Sequence, residues 1–575
     1  MNIRQILSAA AFVAALVLPS CSPVGEETIS LRIIHTTDVH GNLLPTDDIN
    51  ERPATGGMAR LYTLMQEIRG SEPNVLLLDA GDFLQGEPIT YYSNYVDKPH
   101  IVADAMNLLG YDAATIGNHD IEPGHEVYDR FVERAKFPVL AANAIREING
   151  EPYFEPYKVF ERGGARIAVV GFITPAIPQW LPHKLWEGMH FDDIVESARV
   201  WIPQVQKVEK PDLIIAMIHS GLKNDNDQYL ENAGQILAEA VPGIDIILMG
   251  HDHRQSNLWV KRGETDSVLL INPANHLDFV GDIRVTLHKS KGGVRKSIVA
   301  ELTPLEGIEP SEDYLRHFSP KELADYHAFL SRRVGLLQTP VVAMDALWGG
   351  SDYMAVIHQM QLATLRADIS FAAPLALSTS QPSGDVYVRD LFRFCPFTNF
   401  LYVMRLTGRE ILGYLEHSYA GWATEMTSSD DHLIRFRPDA KPTDRYKTEV
   451  PTFNYSSAYG IDYVVDVSKP RGQRVHILQL SGGEAFDLDR EYRVVINSYR
   501  AGGAGGMLTE GAGIPKAELS GRIVEASDTD QLMSLMRYIE REAIIAPKNG
   551  RNWHFVPTAW VEAARPRDEA FILGK

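Results

Sequence analysis

The chain has 575 residues, 45% hydrophobic and 23% charged, which is ordinary globular composition and too long for one core. Its formal net charge of -20 argues against a nucleic-acid polymer as partner, because such polymers favour basic surfaces. A small phosphorylated ligand is not excluded, since bound cations can supply the local positive charge that the average lacks.

The N-terminus reads as an export signal: Arg4 precedes an apolar run from Ile6 to Leu18 that is too short to span a bilayer. The run ends in Leu18-Pro19-Ser20-Cys21, which resembles the lipobox of bacterial lipoproteins, with Pro19 a less usual residue there. A plain secretory signal cleaved nearby is the alternative. The expectation is a signal over residues 1–21 and a polar tether over 22–30. The protein is then exported to the periplasmic side or cell surface of a bacterium, with a lipid on Cys21 as its sole membrane contact. Cys395 is the only other cysteine, so a disulfide framework and a Cys-based zinc site are excluded, and Cys395 is expected to be a buried small hydrophobe.

Short apolar runs then alternate with amphipathic stretches. Leu31–His35, Val75–Leu78, Ala113–Ile116, Ile167–Phe172, Leu213–Ile218 and Ile244–Met249 read as buried strands, and Met58–Ile68 and Val127–Ala135 as helices. That alternation predicts an α/β layered domain. Pro304, Pro310 and Pro320 mark a change of texture, after which Lys321–Leu337 reads as a helix within an inter-domain connector. In the second half Ile369–Ala373, Phe400–Arg405, Tyr463–Val467 and Tyr492–Ile496 read as strands, and Ile411–His417 and Leu532–Glu542 as helices.

Five polar segments each follow a predicted strand: Asp38-Val39-His40, Gly81-Asp82, Gly117-Asn118-His119-Asp120, His219-Ser220 and Gly250-His251-Asp252-His253. Ligands gather outside the carboxyl ends of strands in open α/β sheets. Residues two apart on an extended segment point the same way, so Asp38 with His40, and His251 with His253, are expected to project toward one site. Imidazole and carboxylate donors suit zinc, manganese, iron or similar ions. A carboxylate such as Asp82 can bridge two cations, and an Asn oxygen can complete one of them. Each segment alone is more often structural; all five in this order point to a metal site.

This set of segments resembles the calcineurin-like metallophosphoesterase superfamily. The resemblance implies a four-layer α/β/β/α domain over residues 31–305. It places Asp38, His40, Asp82 and His253 at one divalent metal ion, and Asp82, Asn118, His219 and His251 at a second, with Asp82 bridging. His119 is then the non-ligand histidine that contacts phosphate and assists the leaving group, oriented by Glu122 or Asp120. Related 5′-nucleotidases commonly carry Asp where Glu122 stands. Two such cations polarise the phosphoryl oxygens and lower the pKa of a bridging water, giving a hydroxide for in-line attack.

The second half resembles the C-terminal domain of exported 5′-nucleotidases and 2′,3′-cyclic-nucleotide phosphodiesterase/3′-nucleotidases. The marks are Pro396-Phe397-Thr398-Asn399, Leu406-Thr407-Gly408, the stretch from Phe453 to Val475, and Asn497-Ser498-Tyr499-Arg500-Ala501-Gly502-Gly503. The resemblance implies a helical linker over 306–345 and an α/β (α+β) substrate-binding domain over 346–565. It also implies a nucleobase sandwiched by Phe453 and Tyr499, with Tyr455 and Tyr459 as competitors. Gly502, Gly503, Gly505 and Gly506 would let the backbone approach a ligand, and Asp528 or Asp530 could serve it too. No arginine follows the Ile369–Ala373 strand before Arg389, unlike 5′-nucleotidases, and Asn552-Trp553 looks closer to the cyclic phosphodiesterase branch. The expected substrate is therefore a nucleotide, bound by a monomer, with 2′,3′-cyclic and 3′ esters favoured. The alternatives are a 5′-nucleotidase or UDP-sugar hydrolase and, from another class, a non-catalytic ligand-binding lipoprotein.

Overall fold

A computed structural model describes residues 27–574 apart from 97–99, 224–229, 265, 445–446 and 549. The export signal and Cys21 lie outside the described residues. No helix among the described residues is long and apolar enough to cross a membrane. Residues 27–30, expected in the tether, instead open the first strand, Glu27–Thr36. Ile29 is buried and pairs with Leu287, which draws the tether's end into the sheet.

The first half is built on two six-stranded sheets. In the first, Glu27–Thr36, Val75–Asp79, Ala113–Thr115 and Val139–Leu140 run parallel, with Phe279–Ser290 and Gly293–Pro304 added antiparallel at one side. In the second, Ala165–Ile173, Leu213–His219, Ile246–Met249 and Asp266–Asn272 are parallel, and Tyr157–Arg162 and Ser256–Arg262 form antiparallel edges. Both faces of the parallel strands are covered, so their sequences read as near-continuous apolar runs. Ile33, Leu76, Ile167 and Ile215 pack between the sheets. Val170, Phe172 and Ile218, on the opposite face of the second sheet, pack on the helix Ile194–Glu209 through Ala198, Ile202 and Val205. The Met58–Ser71, Ile101–Leu109 and His125–Arg134 helices cover the first sheet. The result is the expected α/β/β/α stack.

The Lys321–Leu337 helix is shorter than expected. It runs over Pro320–Leu330, capped by the Ser319 hydroxyl, and Arg333–Leu337 is a strand. That strand pairs antiparallel with Gly384–Tyr387 and parallel with Ile544–Ile545, so tertiary pairing overrides the apolar spacing that had extended the helix. Gly335 sits so tightly there that a Cβ would lie 2.6 Å from Ile539 Cγ2. The segment before this point holds to the first half: Ser311 N–H donates to the Ala59 carbonyl and Tyr326 donates to Asp48 (2.8 Å).

A five-stranded mixed sheet organises the second half, in the order Ser457–Tyr459, Ile369–Ala372, Glu491–Asn497, Phe400–Thr407 and Ile523–Asp530. Helix Gly408–Trp422 packs on it, held at its start by a reciprocal Thr407–Glu410 capping box. The two halves share one apolar core, in which Tyr91 and Tyr92 belong to the same cluster as Phe392, Phe394, Cys395 and Leu532. Cys395 is buried and free, as expected.

Candidate active site

All five polar segments lie at the carboxyl ends of parallel strands, three from the first sheet and two from the second. They meet over the seam between the sheets. Strand alternation is not what aims them. Asp38, His40, Asp82, His251 and His253 all have left-handed backbones, with φ of 48°, 47°, 66°, 76° and 54°. The chain turns sharply at each, a conformation costing roughly 1–3 kcal/mol per non-glycine residue and concentrated at functional sites. Consequently His251 and His253 aim at different partners. Gly81 and Gly117 allow the loops to touch: a Cβ on Gly81 would lie 2.8 Å from Gly117 N, and one on Gly117 would lie 2.1 Å from Asp82 Oδ1.

Two groups of donors result. In the first, His253 Nε2 lies 3.1 Å from both Asp38 Oδ1 and His40 Nε2. His40 Nδ1 faces the Gln85 carbonyl at 2.9 Å, so that nitrogen carries the proton and Nε2 presents a lone pair. In the second, Asn118 Oδ1 lies 3.0 Å from His219 Nε2 and 2.9 Å from His251 Nδ1. His219 Nδ1 faces the Ala80 carbonyl at 2.8 Å, leaving its Nε2 turned toward Asp82 Oδ2 at 3.1 Å. Asp82 Oδ2 is buried, and His219 Nε2 is the group turned toward it. Asp38 and Asp82 oxygens lie within 4.8 Å of one another and of His219. Lone pairs with nothing positive between them repel, so this donor set fits divalent cations.

The electrostatics agree. Burial opposes a charge on Asp82, yet the facing His219 and His119 hold its carboxyl well below the ordinary range. Burial likewise opposes a proton on His219, but Asp82 and Asp38 push it up to about 10. The two carboxylates thus favour positive charge in this pocket. His40, with burial and His253 acting together, falls to about 3 and stays neutral.

His119 belongs to neither group. Its Nδ1 lies 2.5 Å from Glu122 Oε2, one turn along the short Asn118–Ile121 helix. Asp120, the other candidate for this orienting role, is occupied elsewhere. Its two oxygens accept the N–H groups of Asp82, Phe83, Leu84 and Gly117, all at 2.8 Å, and so fix the loop that carries Asp82. Burial and Asp82 raise the Asp120 carboxyl to about 7, with those N–H bonds opposing the rise.

A cavity of about 270 Å³ runs from this site to the second half of the chain. Asn118, His119 and Glu122 line its floor, and Phe453, Tyr499 and Asn399 come from the far side. The Phe453 and Tyr499 rings are 6.3 Å apart and nearly perpendicular, at 81°, so they do not yet form a parallel sandwich. Arg500 braces their segments: its guanidinium donates to the Phe453 carbonyl (2.7 Å), Asn454 Oδ1 (2.9 Å) and the Ala504 carbonyl (2.6 Å). Tyr455 is fully buried and stacked on Trp422, and Tyr459 stacks on His358, so neither competes for the cavity.

Two expectations change. The glycines after Tyr499 serve chain packing: Gly502 abuts the Gln179 carbonyl, and Gly505 abuts Arg500. Asp530 caps the Gln531–Glu542 helix and accepts the Tyr91 hydroxyl at 3.0 Å, and Asp528 pairs with Arg537, so neither reaches the cavity. Asn552, a sequence mark of the branch and not a site residue, donates to the Ala458 and Ile461 carbonyls within the fold. Sequence reasoning also missed Trp180, stacked on His251 at 5.5 Å, and Glu231, whose Oε1 lies 2.8 Å from His251 Nε2. Trp180 follows the Ala165–Ile173 strand, and that position was the available signal; Glu231 carried none.

Comparison with known proteins fits this division. Residues 31–255 match the calcineurin-like phosphoesterase family, and residues 337–510 match the 5′-nucleotidase C-terminal domain. The chain is 28% identical to the trifunctional nucleotide phosphoesterase protein YfkN of Bacillus subtilis, over 97% of this chain but only 41% of that relative. It is 26% identical to the 2′,3′-cyclic-nucleotide 2′-phosphodiesterase/3′-nucleotidase of Haemophilus influenzae, over 93% of this chain and 88% of that one. A solved putative 5′-nucleotidase from Staphylococcus aureus shares the fold, with a TM-score of 0.75 and 22% identity over 92% of this chain and all of that one.

Proposed function

We propose that this chain, a phosphate-ester hydrolase that joins a calcineurin-like phosphoesterase domain to a 5′-nucleotidase C-terminal domain, acts on nucleotides, with 2′,3′-cyclic and 3′ esters preferred. The observation that carries this reading is the cavity, which joins the donor cluster and His119 to Phe453 and Tyr499.

In this reading Asp38, His40, Asp82 and His253 hold one divalent cation, and Asp82, Asn118, His219 and His251 hold another. Bound there, the cations supply Lewis-acid polarisation of the phosphoryl group and an ionised water for in-line attack. His119 does the proton work. Glu122 engages its Nδ1, which leaves Nε2 to donate to the departing alkoxide oxygen. Asp120 and the left-handed turns hold the donors in place before substrate arrives, so little reorganisation is needed. Phe453 and Tyr499 offer ring faces to a base, and every base has a π face to stack. Closing on the base requires one ring to rotate from the perpendicular arrangement.

The preference over 5′-nucleotides rests on the segment after the Ile369–Ala372 strand, where Leu375, not an arginine, lines the cavity. A purely binding role is opposed by the intact donor set and the His119–Glu122 pair. The sequence of residues 1–21 supports export and lipid attachment at Cys21. Mass spectrometry of the mature N-terminal peptide tests that part.

The test of the activity is turnover of 2′,3′-cyclic AMP, 3′-AMP and 5′-AMP by purified protein with manganese, zinc or cobalt. The first two are expected to react fastest. No turnover of any would contradict the reading, and 5′-AMP reacting fastest would reverse the preference.

A further inference from the structure

The donor histidines are oriented through their outer ring nitrogens. For His40 and His219 the outer nitrogen is Nδ1, and it faces a backbone carbonyl, of Gln85 at 2.9 Å and of Ala80 at 2.8 Å. His251 is turned the other way round. Its Nδ1 faces inward, 2.9 Å from Asn118 Oδ1, and its outer Nε2 lies 2.8 Å from Glu231 Oε1. An ionised carboxylate only accepts, so Nε2 carries the proton and Nδ1 presents its lone pair to the donor cluster. Trp180 lies against the face of the same imidazole, with ring centroids 5.5 Å apart and planes 24° from parallel. Side chains thus fix His251 at one edge and one face.

Glu231 is itself anchored to the segments that carry the donors. The Ser220 hydroxyl, next to His219 in sequence, donates to the Glu231 carbonyl at 2.7 Å and accepts the Ala233 N–H at 2.8 Å. The Leu222 N–H donates to Oδ2 of Asp252, the residue after His251, at 3.1 Å. Gly221 permits this closure, since a Cβ there would lie 2.1 Å from Asn232 Oδ1 and 2.6 Å from Asp252 Cβ. Among the described residues the converging carboxylates are Asp38 and Asp82. Glu231 stands at the opposite edge of the His251 ring from Asn118.

We propose that Glu231 is a positioning residue for the second cation site: it holds His251 in the one tautomer and ring orientation that aim Nδ1 inward. The inference rests on the reading above that assigns Asn118, His219 and His251 to one cation. A backbone carbonyl, as at His40 and His219, fixes the direction of a ring. A carboxylate in that place also raises the basicity of the imidazole through the shared proton, and such partners are typically worth about 10–100-fold in metal affinity. The Glu231 side chain is 37% exposed, so its replacement empties no part of the core.

The experiment is a calorimetric titration of the chelator-treated full chain with zinc, in wild type, His251→Ala, Glu231→Gln and Glu231→Ala, with the Tm of each metal-free protein measured alongside. Wild type is expected to bind two equivalents, and His251→Ala to lose one of them. Glu231→Ala should weaken that same equivalent by about 10–100-fold while the other Kd and the metal-free Tm stay unchanged. Glu231→Gln should fall nearer to wild type, because an amide oxygen still accepts from Nε2. Unchanged Kd values in Glu231→Ala would overturn the inference and leave the assignment of the site intact. So would complete loss of one equivalent, which would make Glu231 a ligand, or equal weakening of both with a lower metal-free Tm, which would make its role merely structural. Failure of wild type to bind two equivalents, or of His251→Ala to weaken either, would overturn the assignment and the inference together.

Discussion

His119 and Glu122 carry the sharpest test at the level of single residues. His119→Ala should lower kcat by about 10²–10⁴-fold, the usual range for a general acid, while divalent metal content stays at the wild-type level. Glu122→Gln should lose less, because an amide oxygen can still accept from Nδ1. Equal metal loss in His119→Ala would assign His119 to the ligand set instead. A separate residue-scale prediction concerns stability. His358 is fully buried against Ser370 (2.8 Å), and burial lowers its imidazole to about 3. The unfolded chain takes up that proton near 6.5, so the group is neutral in the fold while the unfolded state binds more protons below that pH. Stability should therefore fall as pH drops from about 6.5 toward 3, by up to about 1.4 kcal/mol per pH unit from this group. His358→Gln should flatten that part of a Tm-versus-pH curve; an unchanged slope would contradict the assignment. The donors were legible in the sequence because polar residues interrupt apolar strands at their ends. Their left-handed backbones were not, because φ at Asp38 or His251 is set by loops closing against Gly81 and Gly117 rather than by local residue preference.

Among the elements, the short helix Ser498–Ala501 brings Ser498 and Tyr499 to the far wall of the cleft, and the glycine run after it packs beneath against Arg500. Gly505 has φ of 77°, and a Cβ there would lie 2.1 Å from Arg500 Nη1. Gly505→Ala should displace the Arg500 brace and with it the Phe453 and Tyr499 segments. The expected outcome is a rise of about tenfold in KM for nucleotides, from weakened base stacking worth about 1–3 kcal/mol, with kcat for a small chromogenic phosphodiester unchanged. An unaltered nucleotide KM would remove Arg500 from that role. Most element types could be read from apolar spacing, since parallel strands buried on both faces and amphipathic helices leave distinct patterns. The Arg333–Leu337 strand could not. Its residues suit a helix face as well as a strand, and only the pairing with Gly384–Tyr387 decides between them.

In the molecule as a whole, the two halves meet over one cavity that joins His119 to Phe453 and Tyr499. They are not loosely tethered. The helical layer of the first half and the Gln531–Glu542 helix of the second share a core, and Tyr91 donates to Asp530 across the junction. That union explains why Phe453 and Tyr499, over 300 residues from His119 in sequence, face it across about 270 Å³. It also explains why Glu231 carried no signal beforehand and Trp180 only its place after a strand: both stand beside His251, a relation that only the closed fold creates. The central claim is that the converging donors form one metal-dependent phosphoesterase site around Asp82. The most direct measurement is a divalent-metal titration of chelator-treated protein, read as turnover of 2′,3′-cyclic AMP, in wild type and Asp82→Ala. Turnover should be absent after chelation, return in wild type with about two metal equivalents per chain, and stay absent in the variant. Full turnover by the chelated protein, or by Asp82→Ala, would contradict the account.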